Sequence, residues 1–92
     1  MERDEFIAGI IDQGWSEAGS SDDSVLAFER EGTFIFVFSD SVKDSLYSPE
    51  WSVAFSEIKL TRSRRHYFEI EKKDGTSIEV LSEDDIEIGC MG

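Results

Sequence analysis

Hydrophobic side chains recur along this chain at two spacings, one typical of a helix and the other typical of strands. Near the N-terminus they fall at helical intervals, in the set Phe6, Ile7, Ile10 and Ile11. Acidic residues in the first turn suit the positive end of a helix dipole, and Gly14 stands where a left-handed C-cap is favoured, followed by Trp15. We therefore predict a helix over residues 2–13, in which Gly9 carries a conformational cost unless a sheet approaches it closely.

The middle of the chain is dominated by strand patterns. Residues 16–24 predict a polar loop. Residues 25–30 and 33–39 are rich in β-formers, and Glu31-Gly32 between them predicts a hairpin with a short turn. The second of these strands is apolar on both faces, which is typical of a central strand covered on at least one side. One face carries Phe34, Phe36 and Phe38, and the other carries Ile35 and Val37.

Residues 49–58 fit two different structures. Pro49 marks a good helix start, and helical spacing follows at Trp51, Ala54, Phe55 and Ile58. Strand spacing is matched equally well, at Trp51, Val53 and Phe55. We favour the strand, because the segment is rich in Val, Phe and Ser and poor in strong helix formers.

A second hairpin is predicted near the C-terminal end. Residues 66–72 and 76–81 both alternate, and Lys73-Asp74-Gly75 between them predicts a turn. The side chains expected to point inward are Phe68, Ile70, Ile78 and Val80. The strand spacing of residues 55–80 resembles that of bacterial PH-like domains, a resemblance that rests on strand patterning and implies no functional residue.

These elements predict an α+β fold, in which one N-terminal helix packs on an antiparallel sheet of about five strands arranged as a β-meander. We expect a single domain over residues 1–92, because two hydrophobic cores would not fit in this length.

Net charge limits the classes of partner. Nine Lys and Arg residues stand against 21 Asp and Glu residues, which gives a net charge of −12. Nucleic acids and anionic membranes attract proteins with an excess of Lys and Arg, so we expect neither direct nucleic-acid binding nor membrane association.

The one cysteine, Cys90, cannot form an internal disulfide, and the acidic start does not resemble a signal peptide, so we expect a cytoplasmic protein.

Charge is distributed unevenly along the chain. Residues 59–73 hold six basic and two acidic side chains, a net charge of +4, and the remaining residues carry −16. If residues 61–65 form a hairpin tip, a basic loop results that is a candidate anion-binding site. Its members are Arg62, Arg64, Arg65 and His66. The alternative, which we favour, is that these residues form weak surface pairs with the protein's own acidic side chains.

The acidic residues suggest a more specific function. Rows of carboxylates can imitate the closely spaced charges of duplex DNA and occupy the basic groove of a nucleic-acid-binding protein, as small acidic proteins of phages and mobile elements do. The candidate partner-binding residues are Asp22, Asp23, Glu69, Glu71, Glu79, Glu83, Asp84, Asp85 and Glu87. The alternative is that the acidity serves only solvation, as in proteins of salt-loving organisms.

Catalytic and metal-binding patterns are weak in this sequence. One His and one Cys cannot supply a structural zinc site, and no glycine-rich phosphate loop or nucleophile elbow is present, so we expect no enzyme activity, metal or cofactor.

Tyr47 and Trp51 flank Pro49 and are candidates for an aromatic contact with a protein partner, although for Trp15 and Trp51 a place in the core is favoured. The sequence thus predicts a non-catalytic, acidic protein-binding domain that inhibits or regulates a nucleic-acid-binding protein with a basic surface.

Overall fold

The predicted N-terminal helix is present as α1, Arg3–Asp12, in the computed structural model, which describes residues 1–22 and 25–81, with the backbone alone for 20–22. Phe6 and Ile10 are fully buried, whereas Ile11, predicted on the same apolar stripe, is 53% exposed. The difference arises because residues four apart lie above one another on a helix. The row formed by Phe6 and Ile10 faces the core, and the adjacent row formed by Ile7 and Ile11 lies at the margin of the core.

The end of α1 is a Schellman motif, as the sequence predicts. Gly14 adopts a φ of 102°, which is accessible to glycine at little cost. The Gly14 N–H donates to the Ile11 carbonyl at 3.1 Å, and the Trp15 N–H donates to the Ile10 carbonyl at 3.0 Å. This reversal directs the Trp15 side chain back into the core, where it is 3% exposed.

Five strands follow in a meander in which every strand pairs antiparallel with its sequence neighbour. They are β1 Ser16–Asp22, β2 Val25–Arg30, β3 Thr33–Val37, β4 Ser41–Lys43 and β5 Ser52–Ala54. One face of this sheet supplies core residues, namely Phe28, Ile35, Val37, Val42 and Val53. The α+β class and the five-stranded antiparallel meander are therefore confirmed.

The hairpin between β2 and β3 is also confirmed. Glu31 and Gly32 form its two-residue turn with φ values of 52° and 83°, the left-handed pair that a tight hairpin requires. β3 is central in the sheet, as its pattern predicts. Ile35 and Val37 are fully buried, but Phe34 on the opposite face is 49% exposed, so the core covers only one side of this strand.

The prediction of a polar loop at residues 16–24 is wrong for its described part, because Ser16–Asp22 is β1. This edge strand carries few apolar side chains, and those of residues 16–19 are exposed. Its pairing with β2 is interrupted by register shifts between Glu17 and Gly19 and between Ser20 and Asp22. Backbone hydrogen bonds rather than buried side chains form this strand, and for that reason the hydrophobic pattern does not show it.

Residues 49–58 form neither one helix nor one continuous strand. β5 is short, a single 3-10 turn follows at Phe55–Glu57, and β6 begins at Ile58. The favoured strand is thus correct for residues 52–54 and for Ile58, and wrong for residues 49–51 and 55–57. Phe55 is buried at this break, and its N–H donates to the Asp40 carbonyl at 3.0 Å.

The last strands form a second, three-stranded antiparallel sheet, with the order β6 Ile58–Arg64, β7 Tyr67–Lys72 and β8 Ser77–Leu81. Phe68 and Ile70 point inward as predicted and are almost fully buried, and Ile78 and Val80 pack partly against the core. The predicted strands at 66–72 and 76–81 therefore pair with each other, and the first of them also pairs with β6, in a sheet that is separate from the five-stranded one.

One hydrophobic core joins α1 to both sheets. The ring of Phe6 lies 5.3 Å from that of Phe55, and the Trp15 ring meets Phe68 edge-on at 4.8 Å. The Trp15 indole N–H donates to Ser63 Oγ at 3.0 Å, so the buried polar edge of this ring is satisfied. The helix and its C-cap thus connect the five-stranded sheet to β6 and β7.

We expect two glycine substitutions in this region to have opposite effects on stability. No atom lies within 4 Å of a Cβ built at Gly9, so Gly9→Ala should raise the free energy of unfolding by about 0.5–1 kcal/mol. Gly14→Ala forces a left-handed alanine and should lower it by about 1–2 kcal/mol. Urea unfolding measures both changes, and destabilisation by Gly9→Ala would contradict the open surroundings of this position.

Candidate functional site

The outer face of the three-stranded sheet carries the central part of the predicted acidic row. The strand register places Arg62, Glu69 and Glu79 in one line across β6, β7 and β8. Arg62 Nη1 lies 3.1 Å from Glu69 Oε1 and 3.2 Å from Glu71 Oε1, and Lys59 Nζ lies 3.4 Å from Glu71 Oε2. The three glutamates are neighbours, as predicted, but two of them already have basic partners within the protein.

Hydrogen bonds, burial and nearby charges shift the pKa values of three groups on this face, and that of Arg62 is raised, first by its hydrogen bond to Glu69. The pKa of Glu69 is lowered, first by a hydrogen bond from Ser77 and then by the Arg62 guanidinium. The pKa of Tyr67 is raised, first by burial and then by the carboxylates of Glu69 and Glu79. Glu69 is therefore held in its charged form, and its pair with Arg62 stabilises the contact between β6 and β7.

The predicted anion-binding set is divided by the structure. β6 continues to Arg64, so the hairpin tip consists of Arg65 and His66, and residues 61–64 lie in the strand. Arg64 and Arg65 are exposed at the tip, whereas Arg62 is engaged by the two glutamates. An anion at this end would therefore meet two available arginines rather than three, which favours the interpretation of Arg62 as an internal surface pair.

His66 connects two hairpin tips. Its backbone adopts a φ of 64°, and its N–H donates to Glu31 Oε1 at 2.7 Å. Its ring Nδ1 lies 3.7 Å from the same oxygen, and Arg30 Nη1 lies 3.5 Å from it. Glu31 therefore ties the β2–β3 turn to the β6–β7 turn, which gives His66 a structural contact that its sequence neighbours do not indicate.

The other predicted acidic residues cannot be placed at side-chain level. Asp22 ends β1, where the backbone alone is described. The rest lie outside the described residues, namely Asp23, Glu83, Asp84, Asp85 and Glu87. Their part in partner binding stays a prediction.

A cleft of about 420 Å³ lies between the start of β3, the β4–β5 connection and the end of β8. We call it the aromatic cleft. Its apolar lining consists of Phe34, Trp51, Val80 and Leu81, and its carboxylates are those of Asp44, Glu50 and Glu79. Leu81 is 55% exposed, and together with the half-exposed Phe34 it leaves apolar surface open to solvent.

Asp44 shapes one wall of the aromatic cleft. Its Oδ1 accepts the N–H of Glu50 at 2.8 Å and the N–H of Trp51 at 3.2 Å. These bonds close the β4–β5 connection and fix both residues at the edge of the cleft. Trp51 also packs partly against the core, while Tyr47 in the same connection is 91% exposed.

Sequence reasoning identifies parts of this cleft but does not assemble them. The apolar outer face of β3 and the aromatic candidate Trp51 are both visible in the sequence, yet their proximity depends on the β4–β5 connection. The contribution of β8 depends on how the second sheet docks. A signal was present in Phe34, an aromatic residue on the face of β3 that the core does not cover.

A larger cleft of about 560 Å³ lies at the N-terminal end of α1 and is lined by both signs of charge. Two of its cations are held by backbone carbonyls, because Arg3 Nε donates to Phe38 O at 2.9 Å and the Met1 amine donates to Phe55 O at 3.2 Å. Those contacts fix the start of α1 to the residues that directly follow β3 and β5, so we assign this cleft a structural role.

Within residues 1–22 and 25–81, no three His, Cys, Asp or Glu side chains are grouped so that they could hold a metal ion. In the same residues, no helix has the length and apolar character needed to cross a membrane.

We predict that replacing Glu69 produces a pH-dependent loss of stability. A lowered folded-state pKa means that the ionised carboxylate stabilises the fold above its ordinary pKa of 4.5, and that this contribution disappears as the pH falls through the lowered value. The gap in unfolding free energy between wild type and Glu69→Gln should therefore be full near neutral pH, begin to close as the pH falls through the ordinary pKa of 4.5, and vanish below the lowered pKa of Glu69.

Urea unfolding over a pH series measures this gap. Glu17→Gln removes the same charge from an exposed position on β1, and with a net charge of −12 it should leave neutral-pH stability unchanged or higher. A Glu69→Gln gap that stays constant into acid would contradict the role assigned to the ionised carboxylate.

Comparison with protein-family models, with curated proteins and with solved structures gives no match, so the function has to be argued from the geometry of this chain alone.

Proposed function

We propose that this protein is a non-catalytic binding domain whose acidic surface occupies a basic surface of a protein partner. The partner that such a surface fits best is a nucleic-acid-binding protein, because its basic groove already accepts closely spaced negative charge. The protein would act as its inhibitor or regulator by competing with the nucleic acid.

The observation that carries this proposal is the small share of the acidic side chains that is neutralised internally. In the described part of the chain, the ion pairs involve three carboxylates, those of Glu31, Glu69 and Glu71. The structure describes the side chains of 15 of the 21 acidic residues, and ten of these 15 are exposed. The protein's own basic residues thus compensate one sheet face and one hairpin tip, and most of the described negative charge faces solvent.

The mechanism is electrostatic. Uncompensated charge on a small domain raises the rate of encounter with a basic groove and contributes affinity when the two surfaces meet. The folded chain holds its exposed carboxylates on α1, on the turns and on the strands β1 and β8, so that less ordering is needed on binding than for a disordered acidic segment.

We predict capture of basic nucleic-acid-binding proteins when the immobilised protein is incubated with cell lysate at about 0.05 M salt. Elution should follow when salt is raised to about 1 M, where the screening length falls to about 3 Å. Duplex DNA added at low salt should displace the same proteins, because it competes for the same groove.

Capture of a partner that resists both salt and duplex DNA would contradict the proposal. The competing explanation, acidity that serves only solvation, predicts no specific capture and an unfolding free energy that rises steeply with added salt. The salt dependence of urea unfolding, measured on the same preparation, separates the two explanations.

A further inference from the structure

The aromatic cleft combines an apolar floor with a negatively charged rim, and we infer that it binds an arginine side chain presented by a protein partner. This inference rests on the proposed function, since it names the site at which the basic partner would be anchored. Electrostatic attraction over the whole surface contributes affinity but does not fix the orientation of the partner. A cleft that fits one side chain of the partner does fix that orientation.

The floor of the cleft suits the planar head and the methylene stem of arginine. Phe34 is half exposed although it belongs to a central strand, and Trp51 lies beside it at the end of the β4–β5 connection. A guanidinium stacks on aromatic faces, most strongly on tryptophan, and the stem covers apolar surface. Val80 and Leu81 close the opposite wall with further apolar area.

The rim supplies the charge that such a guest needs. Glu50 and Glu79 are exposed and come from the two sides of the cleft, one from the β4–β5 connection and one from β8. Neither takes part in an ion pair among the described residues. A guanidinium carries five N–H donors in a fork that matches carboxylates, so one arginine can bond to both sides of the cleft.

Asp44 acts on this site through the backbone. Its Oδ1 accepts the N–H groups of Glu50 and Trp51 and thereby positions the loop, while Glu50 itself is exposed. It is therefore a positioning residue, and the binding contacts are assigned to Phe34, Trp51, Glu50 and Glu79.

Charge argues against the other occupants available. A second copy of this chain carries the same net charge of −12, and residues 82–92 contain four acidic residues and no Lys or Arg, so both are repelled by the rim. The volume of about 420 Å³ is within the range of sites that enclose a small ligand or a few side chains. The occupant that is both cationic and partly apolar is an arginine flanked by apolar residues.

The test is calorimetric titration of the full chain with a synthetic peptide of alternating Arg and Leu, at about 0.1 M salt. Phe34→Ala and Glu79→Gln should each weaken peptide affinity about tenfold. The matched controls Tyr47→Ala and Glu17→Gln remove an exposed aromatic ring and an exposed charge outside the cleft, and should leave the affinity within about twofold. A peptide with citrulline in place of arginine keeps the shape without the charge and should not bind.

Three outcomes would overturn this inference and leave the proposed function standing. If Glu17→Gln weakens binding as much as Glu79→Gln while Phe34→Ala has no effect, the acidic surface attracts the peptide diffusely. If the peptide binds only after Ile86 and Ile88 are replaced with Ser, the chain's own C-terminal residues occupy the cleft of the native protein and exclude a partner. If sedimentation shows a dimer that Phe34→Ala dissociates, a second copy of the chain occupies the cleft. Failure of the proposed function looks different, because neither the peptide nor any basic protein from lysate then binds at low salt.

Discussion

The structure depends on one shared core that lies between α1 and two separate sheets. Phe6, Ile10 and Trp15 belong to one buried cluster with residues of both sheets, and the Trp15 indole is fixed to Ser63 by a hydrogen bond. Gln13 adds two hydrogen bonds from its Nε2, to the Thr61 carbonyl at 3.1 Å and to Thr61 Oγ1 at 3.2 Å. This packing fixes the position of β8 relative to β3, and with it the walls of the aromatic cleft.

The electrostatics have two parts with different consequences. On the three-stranded sheet, Arg62 and Lys59 neutralise Glu69 and Glu71, so this local charge contributes to the fold. Elsewhere in the described chain most carboxylates have no such partner, and their mutual repulsion opposes folding. A domain of 92 residues has a small margin of stability, so an acidic surface of this size is costly unless solvation or a partner compensates it.

Local patterns predicted the elements that are formed by nearby residues. The helix with its Gly14 cap, the Glu31-Gly32 turn and the alternation of Phe68 and Ile70 were all readable, because side-chain periodicity and turn geometry determine them. β1 cannot be predicted in this way, because an exposed edge strand forms by backbone pairing and carries almost no apolar side chains. The split into two sheets depends on contacts between distant residues and has no local signal.

The same distinction applies to the candidate sites. The neighbouring positions of Glu69 and Glu79 follow from the hairpin register, which the turn at Lys73-Asp74-Gly75 makes predictable. The pairing of Arg62 with Glu69 and Glu71 depends on β6 joining the same sheet, and a sequence that offers many carboxylates does not single it out. The aromatic cleft needs three distant segments and emerges only in the folded chain.

The central claim, that a basic partner is anchored in the aromatic cleft, is tested most directly by nuclear magnetic resonance of the two tryptophan indole N–H groups. Trp15 lies in the core and Trp51 lines the cleft, so the two signals report separately on the interior and on the site. During titration of the full, isotope-labelled chain with the arginine-leucine peptide, we expect the Trp51 signal to shift to saturation while the Trp15 signal stays in place. Shifts spread over exposed acidic positions with an unchanged Trp51 signal would contradict the claim.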